Sequence, residues 1–301
     1  MALARRFILI LTLAMSAHAL AQGEGTRVYL HAPTGINAVS LTYMDMSSNI
    51  NFAGDIVVPG VDISSDIFAL NYNRFFTLGG RFAEVWATGI FGTVNPAVFT
   101  DSGGILLSPE VSGFADPYLA LRVGLIGAPA LAPAEFAKHA PEFQIYALAG
   151  ITLPLGEYDS SQPLNLGTNR WSFRLGVPMV IPFGHTTFLE VVPSLYLYGK
   201  NDDVYGGGSR DQAPLFVAET HLTHNFTPKF WAGLDLRYQT GGETETNGVK
   251  DDNKFGQLGG GASAGFQFNR SLSAWVSYGE IFGGGDNVNG EMLRFRFIAV
   301  F

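Results

Sequence analysis

The stretch Glu291-Met292-Leu293-Arg294-Phe295-Arg296-Phe297-Ile298-Ala299-Val300-Phe301 has two different faces when read as a strand. Side chains alternate across an extended chain. Leu293, Phe295, Phe297, Ala299 and Phe301 therefore point one way, and Met292, Arg294, Arg296, Ile298 and Val300 the other. In a soluble sheet the apolar face meets a second sheet or a helix. In a transmembrane barrel it meets lipid, and the arginines turn to the lumen. The alternation alone allows both.

The opposite end of the chain separates them. Arg5 and Arg6 precede the uncharged apolar run Phe7 to Leu13, and Ala19-Leu20-Ala21 fits a small-x-small cleavage site. Ser16 and His18 interrupt the run well short of the roughly 20 apolar residues that a spanning helix needs. Residues 1–21 are thus expected to be an export signal cleaved near Ala21, leaving residues 22–301 as one domain. The chain has no cysteine, which excludes disulfides, thiolate metal sites and a lipidated cysteine at the cleavage point. Its formal charge of -8 disfavours nucleic acid as a partner. Hydrophobic residues make up 47% of the sequence, yet no helix-length apolar run follows the signal. Spacing them at every second position is how a membrane barrel hides them.

That spacing recurs in twelve segments: 37–46, 64–76, 81–93, 116–127, 142–154, 169–181, 186–199, 213–225, 229–240, 256–268, 272–282 and 291–301. Each is near the length at which a tilted strand crosses a bilayer. The connections alternate as well. Leu78 to Gly80, Pro182 to His185, Phe226 to Pro228 and Asn269 to Ser271 are tight. Those near 47–63, 94–115, 155–168, 200–212 and 241–255 are long and rich in Gly, Asp, Asn and Ser. Short periplasmic turns and long outer loops have this pattern. The inner connection 128–141 is the exception, with one helical turn expected between Pro133 and Pro141. The fold class predicted is all-β, a transmembrane antiparallel β-barrel of about 12 strands in the outer membrane.

Parity assigns the faces. Leu119, Leu121, Val123 and Leu125, then Trp171, Phe173, Leu175 and Val177, then Phe230, Ala232, Leu234 and Leu236 are expected to face lipid. Tyr43, Tyr72, Trp171 and Tyr238 fall near strand ends, where an aromatic girdle belongs. The opposite parity collects Arg122, Arg170, Arg174, Arg237, Arg294 and Arg296 with Glu84, Glu190, Glu219, His221 and Asp235. A charge on the lipid face costs roughly 2–4 kcal/mol at the midplane, so these residues are expected to line the lumen.

Several stretches resemble a family of proteobacterial outer-membrane proteins named for the meta-pathway of phenol degradation. They are Gly113-Phe114-Ala115-Asp116-Pro117 with Gly127-Ala128-Pro129, then Pro154-Leu155-Gly156-Glu157-Tyr158-Asp159-Ser160, then Asn165-Leu166-Gly167-Thr168-Asn169-Arg170-Trp171-Ser172-Phe173. Asn201-Asp202-Asp203, Ser209-Arg210-Asp211-Gln212 and Tyr238-Gln239-Thr240-Gly241-Gly242 follow in type and order, while residues 22–112 depart from the pattern. The resemblance implies a barrel that passes small hydrophobic or aromatic compounds through the outer membrane. Its partners would be membrane lipid and lipopolysaccharide, small organic solutes, and the barrel assembly machinery that reads a terminal aromatic strand.

Two readings of the in-facing charges stay open. The set Arg122, Arg170, Arg174, Glu190, Glu219, Asp235, Arg237, Arg294 and Arg296 is either a ladder guiding anions such as aromatic carboxylates, or a salt-bridged filling of a narrow barrel. The second leads to a structural or adhesive barrel working through its outer loops. Asp202, Asp203, Asp251 and Asp252 have the chemistry to bind calcium if outer loops gather them, although lone acidic pairs are ordinarily just solvated. The loop Gly156 to Thr168 has the composition of a turn held by local hydrogen bonds. A lipid hydrolase would need a serine with a histidine in reach and a third group to orient it. His31, His139, His185, His221 and His224 are poorly placed for that, and no nucleophile elbow, metal-ligand spacing or phosphate loop occurs. No enzyme and no cofactor is expected.

Overall fold

The computed structural model describes residues 24–301 apart from 52–55, 58–62, 96, 102–103 and 285–287. The expected export signal lies outside the described residues. Twelve antiparallel crossings close on themselves. They are β1 Asn37–Ser48, β2 Ile63–Leu78, β3 Arg81–Val94, β4 Tyr118–Ile126, β5 Gln144–Thr152 and the two-part β6, Ser172–Gly176 with Met179–Phe183. The circuit continues through β7 Thr187–Tyr198, β8 Leu215–Asn225, β9 Phe230–Gly241, β10 Phe255–Gln267, β11 Leu272–Gly284 and β12 Gly290–Val300. β12 pairs with β1 from Ala38↔Val300 to Ser48↔Gly290, so the circuit leaves no open edge. A barrel is the only sheet that satisfies all its backbone groups in lipid.

The expected strands match these within a few residues, with two interruptions made by proline. Segment 169–181 is split because Pro178 has no N–H to give the ladder. The neighbours bridge the gap: Tyr146 donates its N–H to the Pro178 carbonyl at 2.9 Å, and Val177 donates to that of Pro193 at 3.0 Å. Segment 116–127 begins only at Tyr118, after Asp116-Pro117, while Val111–Phe114 pairs separately with β3.

The long connections are less irregular than their composition predicts. Ala97–Asp101 and Gly104–Ser108 form a hairpin, and Arg210–Gln212, Thr244–Thr246 and Val249–Lys250 form a small three-stranded sheet. Strands this short carry no period-two apolar signal. At the opposite end, Gly79 and Gly80 join β2 to β3 with φ of +56° and +79°. Both angles are left-handed, as a two-residue hairpin turn demands, and glycine adopts them without strain. The long inner connection holds one helical turn, α1, at Pro133–Phe136.

The faces follow parity. Leu234 is 65% exposed and Phe297 60%, in a belt with Leu175, Leu236, Phe173 and Phe230 that meets lipid. The tyrosines and tryptophan of the expected girdle, Tyr72, Tyr238 and Trp171, are also exposed on this outer surface. Tyr43 donates to Asp66 there, at 2.6 Å. Inside, Arg122 and Glu190 are fully buried. The sequence leaves the role of residues 22–36 unassigned. In the structure residues 24–36 run through the lumen before joining β1.

Candidate functional site

The lumen is occupied by residues 24–30 and by the charges that hold them. Glu24 pairs with Arg174 Nη1 at 2.7 Å, and its carbonyl accepts from Arg296 Nη2 at 3.1 Å. Gly25 follows with φ +100°, where a Cβ would come within 2.7 Å of both Arg294 Nη1 and the Trp275 ring. Only glycine allows that approach. The Thr26 hydroxyl donates to Asp235 at 2.7 Å. Arg27, itself at φ +65°, donates its N–H to Glu190 at 2.8 Å, and Tyr29 donates its own to the other oxygen at 3.0 Å. Arg122 donates to the Tyr29 carbonyl at 2.6 Å while pairing with Glu84, also at 2.6 Å. Beyond it, His31 meets the Tyr146 hydroxyl at 3.2 Å and Thr34 donates to the Leu131 carbonyl at 2.8 Å.

The expected lumen set is thus placed residue by residue. Arg122, Arg174, Glu190, Asp235 and Arg296 grip the N-terminal segment directly. Glu219 and Arg237 face each other at 3.6 Å, next to His221. Arg294 lies against Gly25 and over Trp275, its centre 5.7 Å from the ring centroid. Arg170 stands apart toward the long-loop end, donating to Gln212 and lying 4.5 Å over the Tyr198 ring. Removing these ions from water is costly unless each is paired or hydrogen-bonded, and the network does both.

Sequence reading missed two members, Ser263 and Arg27, although parity puts His221 inside. His221 is fully buried, 2.6 Å from Asp235, and Ser263 donates to the same carboxylate. This trio is not a nucleophile relay. Serine and histidine take separate oxygens of Asp235, so the imidazole is bonded to the carboxylate and not to the hydroxyl. Arg27 is the second; nothing in its local sequence marks it.

Apolar groups and cavities flank the charged zone. Ile50, Val57, Leu215, Val217, Phe255 and Met292 form a buried cluster toward the long-loop end. A cavity of about 280 Å3 lies at that end, lined by Leu164, Tyr158, Tyr205, Arg170 and Arg210 among others. At the short-turn end a cavity of about 300 Å3 runs along residues 26–28. The loop Gly156 to Thr168 folds over the mouth, burying Leu164 and Leu166. Asp116 anchors it, accepting from Gly156 N–H at 2.8 Å, Thr168 N–H at 2.7 Å and the Thr168 hydroxyl at 2.6 Å. Local bonds complete it: Asn165 accepts from Asp159 N–H at 2.7 Å, and Ser161 donates twice to the Asp159 carboxylate. Those two donors hold the Asp159 carboxyl below the usual carboxylate range. Asp251 is used within the outer sheet, accepting from Thr244 and Thr246. No group of three metal-ligating side chains forms among the described residues.

The solved structure of an outer membrane channel from Pseudomonas putida F1 superposes with a TM-score of 0.77 at 20% identity, covering 93% of this chain and all 100% of that one. The transport unit of an autotransporter from Escherichia coli superposes at a TM-score of 0.51 and 8% identity, covering 91% of this chain and 94% of that one. At these identities the likeness establishes the fold, an outer-membrane barrel. No curated protein matches the sequence. Residues 47–297 match the model of the family described as "Putative MetA-pathway of phenol degradation", and with most of its length inside that match the chain belongs to this family.

Proposed function

We propose that this protein is an outer-membrane channel for small hydrophobic or aromatic compounds, closed at rest by residues 24–36. One observation carries the reading. The lumen is stopped by the N-terminal segment, held through hydrogen bonds and ion pairs and by Tyr29 in an apolar cluster with Phe82, Tyr146 and Leu148, with a cavity on each side of it. Residues 24–33 add no strand to the barrel, so they can leave with the hydrogen-bonded ladder of the wall in place. The family name points to the solute class, as does the apolar cluster at the outer mouth. In this reading Arg122, Arg170, Arg174, Glu190, Glu219, Asp235, Arg237, Arg294 and Arg296 line the solute pathway once the segment moves, and no catalysis is involved. The long loops face outward beside lipopolysaccharide, and the short turns face the periplasm. Residues 1–21 direct export and are cleaved near Ala21, residues 22–301 form the barrel domain, and the assembly machinery reads the aromatic strand β12.

The paired arginines favour a second reading, a structural or adhesive barrel working through its outer sheet. Liposomes carrying the refolded protein separate the two. Phenol and benzoate entering faster than a sugar of similar size supports the channel. Entry of no solute above empty liposomes, with the barrel folded, leaves the structural reading.

A further inference from the structure

The cavity at the short-turn end has an unbalanced charge. Arg27, Lys229 and Arg296 line it, with Glu84 as the one carboxylate. Glu84 is already committed to Arg122 at 2.6 Å and to the Asn73 side chain at 2.6 Å. Among the described residues none of the three cations has an ion-pair partner. Arg27 donates Nε to Thr223 at 3.2 Å, and its Nη2 is buried without an acceptor. Glu190, the carboxylate beside it, is taken by the backbone N–H groups of Arg27 and Tyr29. Arg296 donates only to the neutral oxygens of Thr42 and of the Glu24 carbonyl. Glu190 lies near Arg27 and Glu24 near Arg296, but neither carboxylate closes an ion pair on the guanidinium. Lys229 stands exposed at the rim. An anion that fits the space pairs with the two arginines directly.

The walls narrow the choice of anion. Arg27 lies 4.4 Å over the Trp231 ring and Arg296 4.9 Å over Trp275. Trp231 sits where it does because Gly265, its cross-strand partner, has no side chain; a Cβ there would fall 2.3 Å from the indole. Phe75 and Phe230 complete the apolar surface. Asn71, on the same cavity, has a buried Oδ1 with no donor among the described residues. At about 300 Å3 the space is at the lower end of small-molecule sites, which suits one aromatic ring better than a sugar chain.

We propose that this periplasmic vestibule binds an aromatic carboxylate, its carboxylate paired with the Arg27, Lys229 and Arg296 set, its ring against the tryptophans, and a ring hydroxyl donating to Asn71. The site rests on the channel reading and names the class of solute held at its inner mouth.

Calorimetric titration of the refolded barrel in detergent with 4-hydroxybenzoate, benzyl alcohol and sulfate tests it. Saturable binding of 4-hydroxybenzoate alone is expected, weakened about tenfold in Arg27→Gln, as the loss of a charge-assisted hydrogen bond implies. Lys229→Gln, at an exposed turn where folding is not at stake, is expected to weaken it about threefold. Equal binding of benzyl alcohol or sulfate overturns the proposal. So does unchanged affinity in both variants with the barrel folded. Binding of 4-hydroxybenzoate without permeation in liposomes keeps the vestibule and removes the channel; permeation without binding does the reverse.

Discussion

Glu190→Gln probes the grip on the lumenal segment most directly. The buried carboxylate accepts the Arg27 N–H at 2.8 Å and the Tyr29 N–H at 3.0 Å, one on each oxygen. Glutamine keeps the shape and one acceptor oxygen, but turns an NH2 toward the other N–H. Hydrogen bonds to charged groups are worth about 1.5–3 kcal/mol each. One is lost and the other becomes neutral, so the seated segment weakens by about 3 kcal/mol, roughly a hundredfold in the seated-to-unseated ratio. The absence of native cysteine makes the readout clean. A single Val28→Cys thiol, half-buried beside the inner cavity of about 300 Å3, is open to a maleimide on a polyethylene glycol chain too large for that cavity only when the segment leaves. Modification is expected to accelerate roughly a hundredfold when Glu190→Gln is added, while a Ser271→Cys reference thiol in an exposed turn reacts at an unchanged rate. Equal protection of Val28→Cys in both backgrounds would refute the idea that this carboxylate holds the segment.

Other perturbations bear on the wall and the loops. Leu234→Arg, at a lipid-facing position 65% exposed, is expected to cost about 2–4 kcal/mol in a urea titration of the barrel in bilayers; no shift would place that face elsewhere. Arg122→Met strands Glu84 in the interior and is expected to cost about 3–5 kcal/mol, most of it recovered by adding Glu84→Leu. Strict additivity of the pair in a double-mutant cycle would deny the coupling. Asp159 is held below the usual aspartate pKa by its Ser161 donors, so its ordering of the outer loop is fully present above about pH 4. It is lost as pH falls through the lower folded value. Protection of the Ser161 amide against hydrogen exchange, followed from pH 6 to pH 2, reports this, and protection unchanged at pH 2 would contradict it.

The wall was legible in the sequence because its information is local. Period-two alternation in 291–301 or 229–240 needs no knowledge of a partner strand, and Gly79-Gly80 marks its own turn. The breaks at Pro117 and Pro178 were readable in principle, since each proline lacks a ladder donor, but the alternation running through them outweighed that signal. The lumen was legible only as a list. Parity put Arg174, Glu190 and Asp235 inside; it could not say that their partners are Glu24, two backbone N–H groups and Thr26. Arg27 was invisible because it lies in a segment without periodicity, whereas Lys229 opens the 229–240 segment at in-facing parity and was passed over. What unites them with Arg296 is the closure of the barrel, which no window of sequence contains.

The lumenal segment also sets an order of assembly. Thr26 and Asp235 are 209 residues apart, and Glu24 and Arg296 are 272 apart. Residues 24–30 therefore have no seat until β9 and β12 are in place, which is to say until the ring is complete. Non-local contacts of this kind form late and slowly. The barrel must close around water and fill afterwards, so weakening the segment should quicken its release while leaving the rate of barrel closure unchanged.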